Sequence, residues 1–148
     1  MNKKGIIFDF NRTLFDPEKR ELMPNAEETL LSLTKRGYIL SLISSTQSPE
    51  RETFIKSLPI SNFFVKIIVT NKKKSAHHFS ELSDIMGTNT KNTYVVGDRI
   101  KSEIQLGNSL TFNTIWFKNG KFAKETPSRQ SEIPTAIITN LSEILNFI

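Results

Sequence analysis

The stretch IIFDFNRTL, residues 6–14, places an aspartate directly after an apolar run. The run before Asp9 has the composition of a buried strand. A carboxylate at the tip of a buried strand is costly unless it is paired, hydrogen-bonded or bound to a metal. Asn11 and Thr13 follow Asp9 at distances of two and four residues. The stretch therefore predicts a buried strand that ends at a polar site.

Strand-like and helix-like segments alternate along the rest of the chain, which favours an α/β fold with a mainly parallel sheet. The predicted strands cover residues 5–10, 38–43, 64–69, 93–96, 113–117 and 136–139. In such a sheet the carboxyl ends of the strands share one edge, where open α/β sheets bind ligands. The length fits one domain, which we expect to cover residues 1–148.

A second aspartate, Asp98, follows the predicted strand at residues 93–96. Asp9 and Asp98 would lie close together if their two strands are neighbours in the sheet. A small set of oxygen ligands is what Mg²⁺ favours in proteins. Each aspartate could instead cap the turn or helix that follows it, because aspartate is a common capping residue.

Further polar residues follow the second and third predicted strands. Ser44 provides a hydroxyl that could bond a phosphoryl oxygen or could stabilise a turn. Lys72, Lys73 and Lys74 follow the third strand. One ammonium group at this edge would offset the charge of an aspartate and a phosphate, and the other two would be solvated.

The composition limits the classes of protein that the chain can represent. It has 148 residues, no cysteine and a net charge of +5. The lack of cysteine excludes disulfides, zinc-thiolate sites and cysteine nucleophiles. No apolar run reaches about 18 residues, and the basic start meets Asp9 too soon for a signal peptide, so we expect a cytoplasmic protein without membrane contact. The positive charge leaves nucleic acid open as a partner, but no aromatic residues interleave the lysine run.

Four motifs in chain order resemble those of the haloacid dehalogenase superfamily. DFNRTL, residues 9–14, resembles the first motif, DxDxT, and Ser44 falls where the serine or threonine of the second motif lies. Lys73 best matches the lysine of the third motif by its spacing to Phe79, although either neighbouring lysine could serve instead. GDRIKSE, residues 97–103, resembles the fourth motif, GDxxxxD, with glutamate at the last position.

The resemblance implies a three-layer α/β/α sandwich with a Rossmann-like sheet, and phosphatase chemistry through an aspartyl-phosphate. Asp9 would be the nucleophile that attacks phosphorus. Mg²⁺ would be held by the Asp9 side chain, the Asn11 backbone carbonyl and the Asp98 side chain. Three side chains would bind the phosphoryl group of a phosphorylated substrate: Ser44, Lys73 and Thr13.

Two positions depart from the motifs of this superfamily. Its phosphatases usually carry aspartate where this chain has Asn11, and that side chain protonates the leaving group and then activates water. An amide cannot transfer a proton in this way, and positioned acid–base catalysis is typically worth about 10²–10⁴-fold. We therefore expect slow turnover, or the use of good leaving groups such as aryl or acyl phosphates. At the second position, Glu103 is longer than aspartate by one methylene and could reach a metal-bound water.

The intervals in which the superfamily inserts cap domains are short in this chain. They lie between Thr13 and Pro24 and between Ser45 and about Phe64. The resemblance therefore implies a capless member with an open site, which a neighbouring subunit of a homo-oligomer could cover. Arg12, beside the nucleophile position, could contact a phosphate or leaving group, or could be an exposed loop residue.

Three hypotheses about function follow from the sequence. The leading one is a Mg²⁺-dependent phosphatase with Asp9 as its nucleophile. The second is a regulatory or phosphate-binding module with little catalysis, which Asn11 favours. The third is a phosphatase of nucleic-acid ends, which the basic charge and the open site favour.

Overall fold

The computed structural model describes residues 2–148, in which six parallel strands form one sheet. The sheet order is β5-β4-β1-β6-β7-β8, and β2 and β3 form a separate antiparallel hairpin. The strands are β1 (Lys4–Asp9), β2 (Phe15–Asp16), β3 (Glu21–Leu22), β4 (Tyr38–Ser45), β5 (Phe64–Thr70), β6 (Thr93–Gly97), β7 (Asn113–Phe117) and β8 (Ala136–Ile138).

The helices are α1 (Ala26–Lys35), α2 (Arg51–Ser57), α3 (Ala76–Met86) and α4 (Gln105–Ser109). One π-helical turn, Ile100–Ile104, leads directly into α4. Glycines with positive φ follow α1 and α3, Gly37 at 89° and Gly87 at 72°, a backbone conformation that glycine adopts without strain. Leu141–Asn146 forms a 3₁₀ helix near the end of the chain.

Alternating side chains of β1 divide the hydrophobic core into two layers, because successive residues of a strand point to opposite faces. Ile6 and Phe8 pack with α1, α2 and the 3₁₀ helix near the chain end. Ile7 packs on the opposite face against Phe79 and Leu82 of α3. The sheet is thus buried between two helical layers, and β1 lies at its centre.

The predicted α/β fold with a three-layer sandwich and a parallel sheet is confirmed. All six predicted strands are present within two residues of their predicted ends. The chain between β1 and α1 contains the short β2–β3 hairpin. The last helical segment of the chain is a 3₁₀ helix.

The two intervals in which a cap would be inserted contain little structure. Between Thr13 and Pro24 the chain forms the β2–β3 hairpin, and between Ser45 and Phe64 it forms α2 and one 3₁₀ turn. Neither interval holds a cap domain, as the sequence predicted. Within residues 2–148, none of the helices has both the length and the apolar character needed to cross a bilayer.

Candidate active site

The carboxyl edge of the sheet gathers the polar residues that the sequence singled out. β1 lies between β4 and β6, with Asp9 in register with Ile43 and Phe8 in register with Val96. Ser44 directly follows Ile43 on β4, and Asp98 lies two residues after Val96, just beyond the end of β6. The strand order therefore brings together side chains that are far apart in the sequence.

Lys74 is the lysine that reaches the nucleophile position. Its Nζ donates a hydrogen bond to Oδ1 of Asp9 and lies 3.6 Å from Oε2 of Glu103. The side chains of Lys74 and Asp9 are each 8% exposed. Lys73, which the spacing to Phe79 favoured as the phosphate-binding lysine, is exposed and lies at the pocket wall, whereas Lys74 is the lysine that contacts Asp9.

The loop between β5 and α3 is fixed at both ends, which orients the three lysines. The Ser45 hydroxyl donates to the Lys72 carbonyl oxygen at 2.7 Å. The backbone N–H of Ser75 donates to Nδ1 of His78 at 3.1 Å and so fixes the start of α3. Between these anchors the loop directs Lys74 inward and leaves Lys73 outside. Spacing to Phe79 could not distinguish these two neighbours.

Three carboxylates form a buried cluster suited to a cation. Ligand atoms of Asp9, Asp98 and Glu103 all lie within 4.8 Å of one another. Asp98 Oδ2 and Glu103 Oε1 are buried and have no hydrogen-bond partner within residues 2–148. A buried carboxylate oxygen without a partner is costly unless it binds a cation. The set consists of oxygen donors alone, so these residues fit Mg²⁺.

Gly97 makes room for Glu103 at the end of β6. A Cβ added at Gly97 would lie 2.6 Å from Glu103 Cβ, closer than real Cβ contacts. The glycine of the fourth motif thus lets the π-helical turn approach the strand and brings Glu103 beside Lys74. This contact places the glutamate inside the cluster even though its side chain is longer than that of aspartate.

The charges of the cluster shift the pKa values of its members in opposite directions. Burial would raise the pKa of Asp9, but the charge and hydrogen bond of Lys74 lower it below its ordinary value. Burial, together with the charge of Asp9, raises the pKa of Glu103 to about 7 and that of Asp98 to about 9. Asp9 is therefore the carboxyl group of the three whose pKa is lowered, which favours its ionised form.

Thr13 and Asn11 both follow β1 but differ in exposure: Thr13 is buried, and Asn11 is half-buried. The fully buried Thr13 hydroxyl donates to Oδ2 of Asp9 at 3.2 Å, so it fixes the orientation of the Asp9 carboxylate. This contact differs from the predicted contact of Thr13 with the phosphoryl group. Asn11 borders the pocket of about 390 Å³ that contains Asp9 and Asp98, and also a second pocket.

Ser44 lies at the end of β4, is 2% exposed, and accepts a hydrogen bond from Arg51. The distance between Arg51 Nη1 and Ser44 Oγ is 2.9 Å. Arg51 was not predicted from the sequence, because it lies outside the four motifs. The feature that could have indicated it is an arginine at the first turn of the helix after the second-motif serine.

Cations at the rim of the pocket are mostly neutralised by glutamates. Three cations that line the pocket form ion pairs with glutamates: Arg12–Glu18 at 2.9 Å, Arg99–Glu125 at 3.1 Å and Lys101–Glu132 at 3.1 Å. The Arg99 guanidinium also lies 4.1 Å from the centroid of the Phe122 ring. Because these cations are paired and Lys74 is buried, the lysine run does not form a dense basic patch. This weakens the case for nucleic acid as a partner.

The chain belongs to the haloacid dehalogenase-like hydrolase family, whose model matches residues 9–117. The matched region begins at the nucleophile position and includes all four motifs. The chain is also similar to the glyceraldehyde 3-phosphate phosphatase of Pyrococcus furiosus, with 28% identity over 127 residues. This match covers 83% of this chain and 52% of the relative. The chain spans about half the length of the curated relatives it matches.

Solved structures show the same fold at low sequence identity. YfnB from Bacillus subtilis, solved bound to magnesium, has a TM-score of 0.82 at 13% identity, with 99% of each chain covered. A predicted phosphoglycolate phosphatase from Haemophilus somnus has a TM-score of 0.79 at 17% identity. The match covers 99% of this chain and 98% of that one. These likenesses establish the architecture of the present chain.

Proposed function

We propose that this chain is a Mg²⁺-dependent phosphatase that acts through an aspartyl-phosphate at Asp9. The observation that carries the proposal is the buried cluster of Asp9, Lys74, Asp98 and Glu103 at the carboxyl edge of the sheet. The relatives named as phosphatases support the same class of reaction. Phosphoryl transfer depends mainly on positioning and on neutralising charge, and this cluster provides both.

The nucleophile is prepared by its two hydrogen-bond partners. Thr13 donates to one oxygen of Asp9 and Lys74 donates to the other, which fixes the carboxylate plane. An Asp9 oxygen forms a bond to phosphorus as the bond from phosphorus to the leaving-group oxygen breaks. The bonding electron pair stays with the leaving group. Water then attacks the phosphorus of the acyl phosphate, which releases inorganic phosphate and restores the Asp9 carboxylate.

The remaining residues bind the phosphoryl group or the cation. Lys74 offsets negative charge on the transferred group, and the Ser44 hydroxyl holds one of its oxygens. The Asp9 and Asp98 side chains and the Asn11 carbonyl would hold Mg²⁺, with Glu103 beside them. When bound, Mg²⁺ neutralises charge so that an anionic nucleophile can approach an anionic phosphate.

Asn11 makes the acid–base step slow. Its amide cannot protonate a leaving group or activate water, so we expect a low rate with alkyl phosphates and a higher rate with leaving groups that depart as stable anions. The same substitution favours the second hypothesis, a phosphate-binding or regulatory module on the same fold. The two hypotheses differ in turnover, and both predict that phosphate binds at Ser44 and Lys74.

A hydrolysis assay with 4-nitrophenyl phosphate tests the proposal. Wild type should release phosphate in Mg²⁺, stop when the metal is chelated, and lose activity in Asp9→Asn. Leu31→Ala, on the outer face of α1, is the control for preparation and folding. Equal activity of wild type and Asp9→Asn would show that Asp9 is not the nucleophile. Phosphate binding without turnover in wild type would favour the module.

A further inference from the structure

A second pocket of about 420 Å³ lies beside the candidate active site. It is bounded by the β2–β3 hairpin on one side and by the start of α2 on the other. Asn11 borders both this pocket and the one that contains Asp9. The second pocket is therefore adjacent to the position where a leaving group would depart from phosphorus at Asp9.

Aromatic side chains form the wall of the second pocket. The rings of Phe10 and Phe15 are stacked with centroids 5.2 Å apart, and the Phe54 ring meets Phe15 edge to face, also at 5.2 Å. Phe10 and Phe15 are buried, but Phe54 is 39% exposed. A pocket lined by aromatic side chains with a few polar groups is typical of a ligand-binding site.

Arg51 joins this aromatic wall to the phosphoryl site. Its guanidinium lies 5.6 Å from the centroid of the Phe10 ring and donates to the Ser44 hydroxyl. Within residues 2–148, no carboxylate forms an ion pair with it. Burial lowers the pKa of Arg51, and the charge of Asp9 opposes that shift. A partly buried guanidinium without a carboxylate partner is suited to a phosphate oxygen, which it can bind in a bidentate manner.

The chemistry of Asn11 points to the same kind of substrate. Without a proton donor, the bond from phosphorus to oxygen breaks most readily when the departing oxygen is stable as an anion. A phenol-type oxygen meets this condition far better than an alkyl alcohol, because the phenol group has a pKa near 10. An aromatic leaving group also stacks favourably on phenylalanine rings.

We propose that the second pocket is the leaving-group subsite of the phosphatase, and that it takes the aromatic ring of an aryl phosphate monoester. This inference rests on the proposed function. Phe15 and Phe54 hold the ring, and Arg51 binds a phosphoryl oxygen together with Ser44. As Asp9 bonds to phosphorus, the aryl oxygen keeps the bonding electron pair, leaves as aryloxide and takes a proton from water.

Binding to Asp9→Asn tests the subsite without interference from turnover. We would measure the affinities of phenyl phosphate, cyclohexyl phosphate and methyl phosphate by calorimetry in Mg²⁺. Phenyl phosphate should bind about three- to tenfold more tightly than cyclohexyl phosphate, which has a ring of similar size without aromatic stacking. Equal affinities for phenyl and methyl phosphate would overturn the proposal.

Second substitutions combined with Asp9→Asn show which side chains bind the aromatic ring and which bind the phosphoryl group. Phe54→Ala should weaken phenyl phosphate binding at least about fivefold and leave methyl phosphate unchanged. Arg51→Met should weaken both ligands. Phe147→Ala, which removes an exposed phenylalanine near the chain end, is the matched control and should change neither. Indistinguishable effects of Phe54→Ala and Phe147→Ala would overturn the assignment of the ring to this pocket.

These binding measurements distinguish failure of the proposed subsite from failure of the proposed phosphatase function. Tight, Phe54-dependent binding of phenyl phosphate supports the subsite even if wild type hydrolyses none of the three esters, in which case the phosphatase proposal alone fails. Hydrolysis by wild type with no preference of Asp9→Asn for phenyl phosphate would sustain the phosphatase and reject the subsite.

Discussion

Lys74 and Asp9, 65 residues apart in the sequence, form a buried ion pair at the carboxyl edge of the sheet. The same ammonium lies 3.6 Å from Glu103. One cation thus holds together a carboxylate at the end of β1 and a carboxylate in the π-helical turn that follows the adjacent strand β6.

Lys74→Met should destabilise the protein and impair catalysis. Removal of one partner from a buried ion pair typically costs about 3–5 kcal/mol, because the other charge remains buried. Loss of a group that stabilises transition-state charge typically lowers kcat about 10²–10³-fold. Urea unfolding and phosphatase assays measure the two effects, and Mg²⁺ should restore part of the lost stability.

Lys73→Met is the control for this variant, since it removes the same charge one residue earlier from an exposed side chain. Its free energy of unfolding should lie within about 0.5 kcal/mol of wild type. If Lys73→Met is the more damaging of the two substitutions, the loop before α3 directs Lys73, and not Lys74, toward Asp9.

Asn11→Asp should increase the rate most for substrates with poor leaving groups. The new carboxyl group can protonate an alkyl alcohol as it departs, a step worth up to about 10²–10⁴-fold. An aryl leaving group needs little protonation, so its rate should change much less. Rates across a series of phosphate monoesters, plotted against the pKa of the leaving group, should show a shallower slope in the variant. A uniform change across the series would argue against an acid–base role for this position.

Gly97→Ala should weaken Mg²⁺ binding as well as stability. The added Cβ meets Glu103 Cβ at 2.6 Å, so the π-helical turn must move and take the glutamate with it. Overpacking of this kind typically costs about 1–3 kcal/mol. Calorimetric titration with Mg²⁺ and urea unfolding measure the two effects.

Gly107→Ala provides the matched control for the glycine substitution. Its Cβ would meet Thr114 Cγ2 at 2.7 Å, a similar steric conflict with a side chain of β7 and not with a member of the carboxylate cluster. It should lower stability and leave Mg²⁺ affinity unchanged. Equal loss of Mg²⁺ affinity in the two variants would mean that Gly97 acts through general stability and not through the position of Glu103.

Glu132→Gln should reduce the loss in the free energy of unfolding that occurs as the pH falls. Hydrogen bonds from the Ser128 backbone and the Lys101 ammonium lower the pKa of Glu132 to about 2, below its ordinary value of 4.5. A carboxyl group with a lowered pKa in the folded state contributes stability that is present above pH 4.5 and is lost as the pH falls toward 2. Urea unfolding between pH 2 and pH 6 should show this loss in wild type and less of it in the variant. Glu81→Gln, at an exposed position of α3, should keep the slope of wild type.

The order of elements and the strand-end carboxylates could be predicted because they depend on local pattern. The apolar runs before Asp9 and before Asp98 indicated two buried strands, each followed by an aspartate. The register of a parallel sheet then placed both carboxylates at one edge. The departure at Asn11 was also visible, because a one-atom change from carboxyl to amide removes a transferable proton wherever the side chain lies.

Other features required the folded chain. The choice of Lys74 over Lys73 depends on loop contacts made by Ser45 and His78, which lie on either side of the lysine run in the sequence. The role of Arg51 depends on its approach to Ser44 and on the packing of α2 against the aromatic side chains after β1. The spacing of apolar residues along a segment determines which face of a strand or helix is buried, because this spacing is a local property of the sequence. The direction of a loop side chain is set by contacts between distant segments, which no local pattern records.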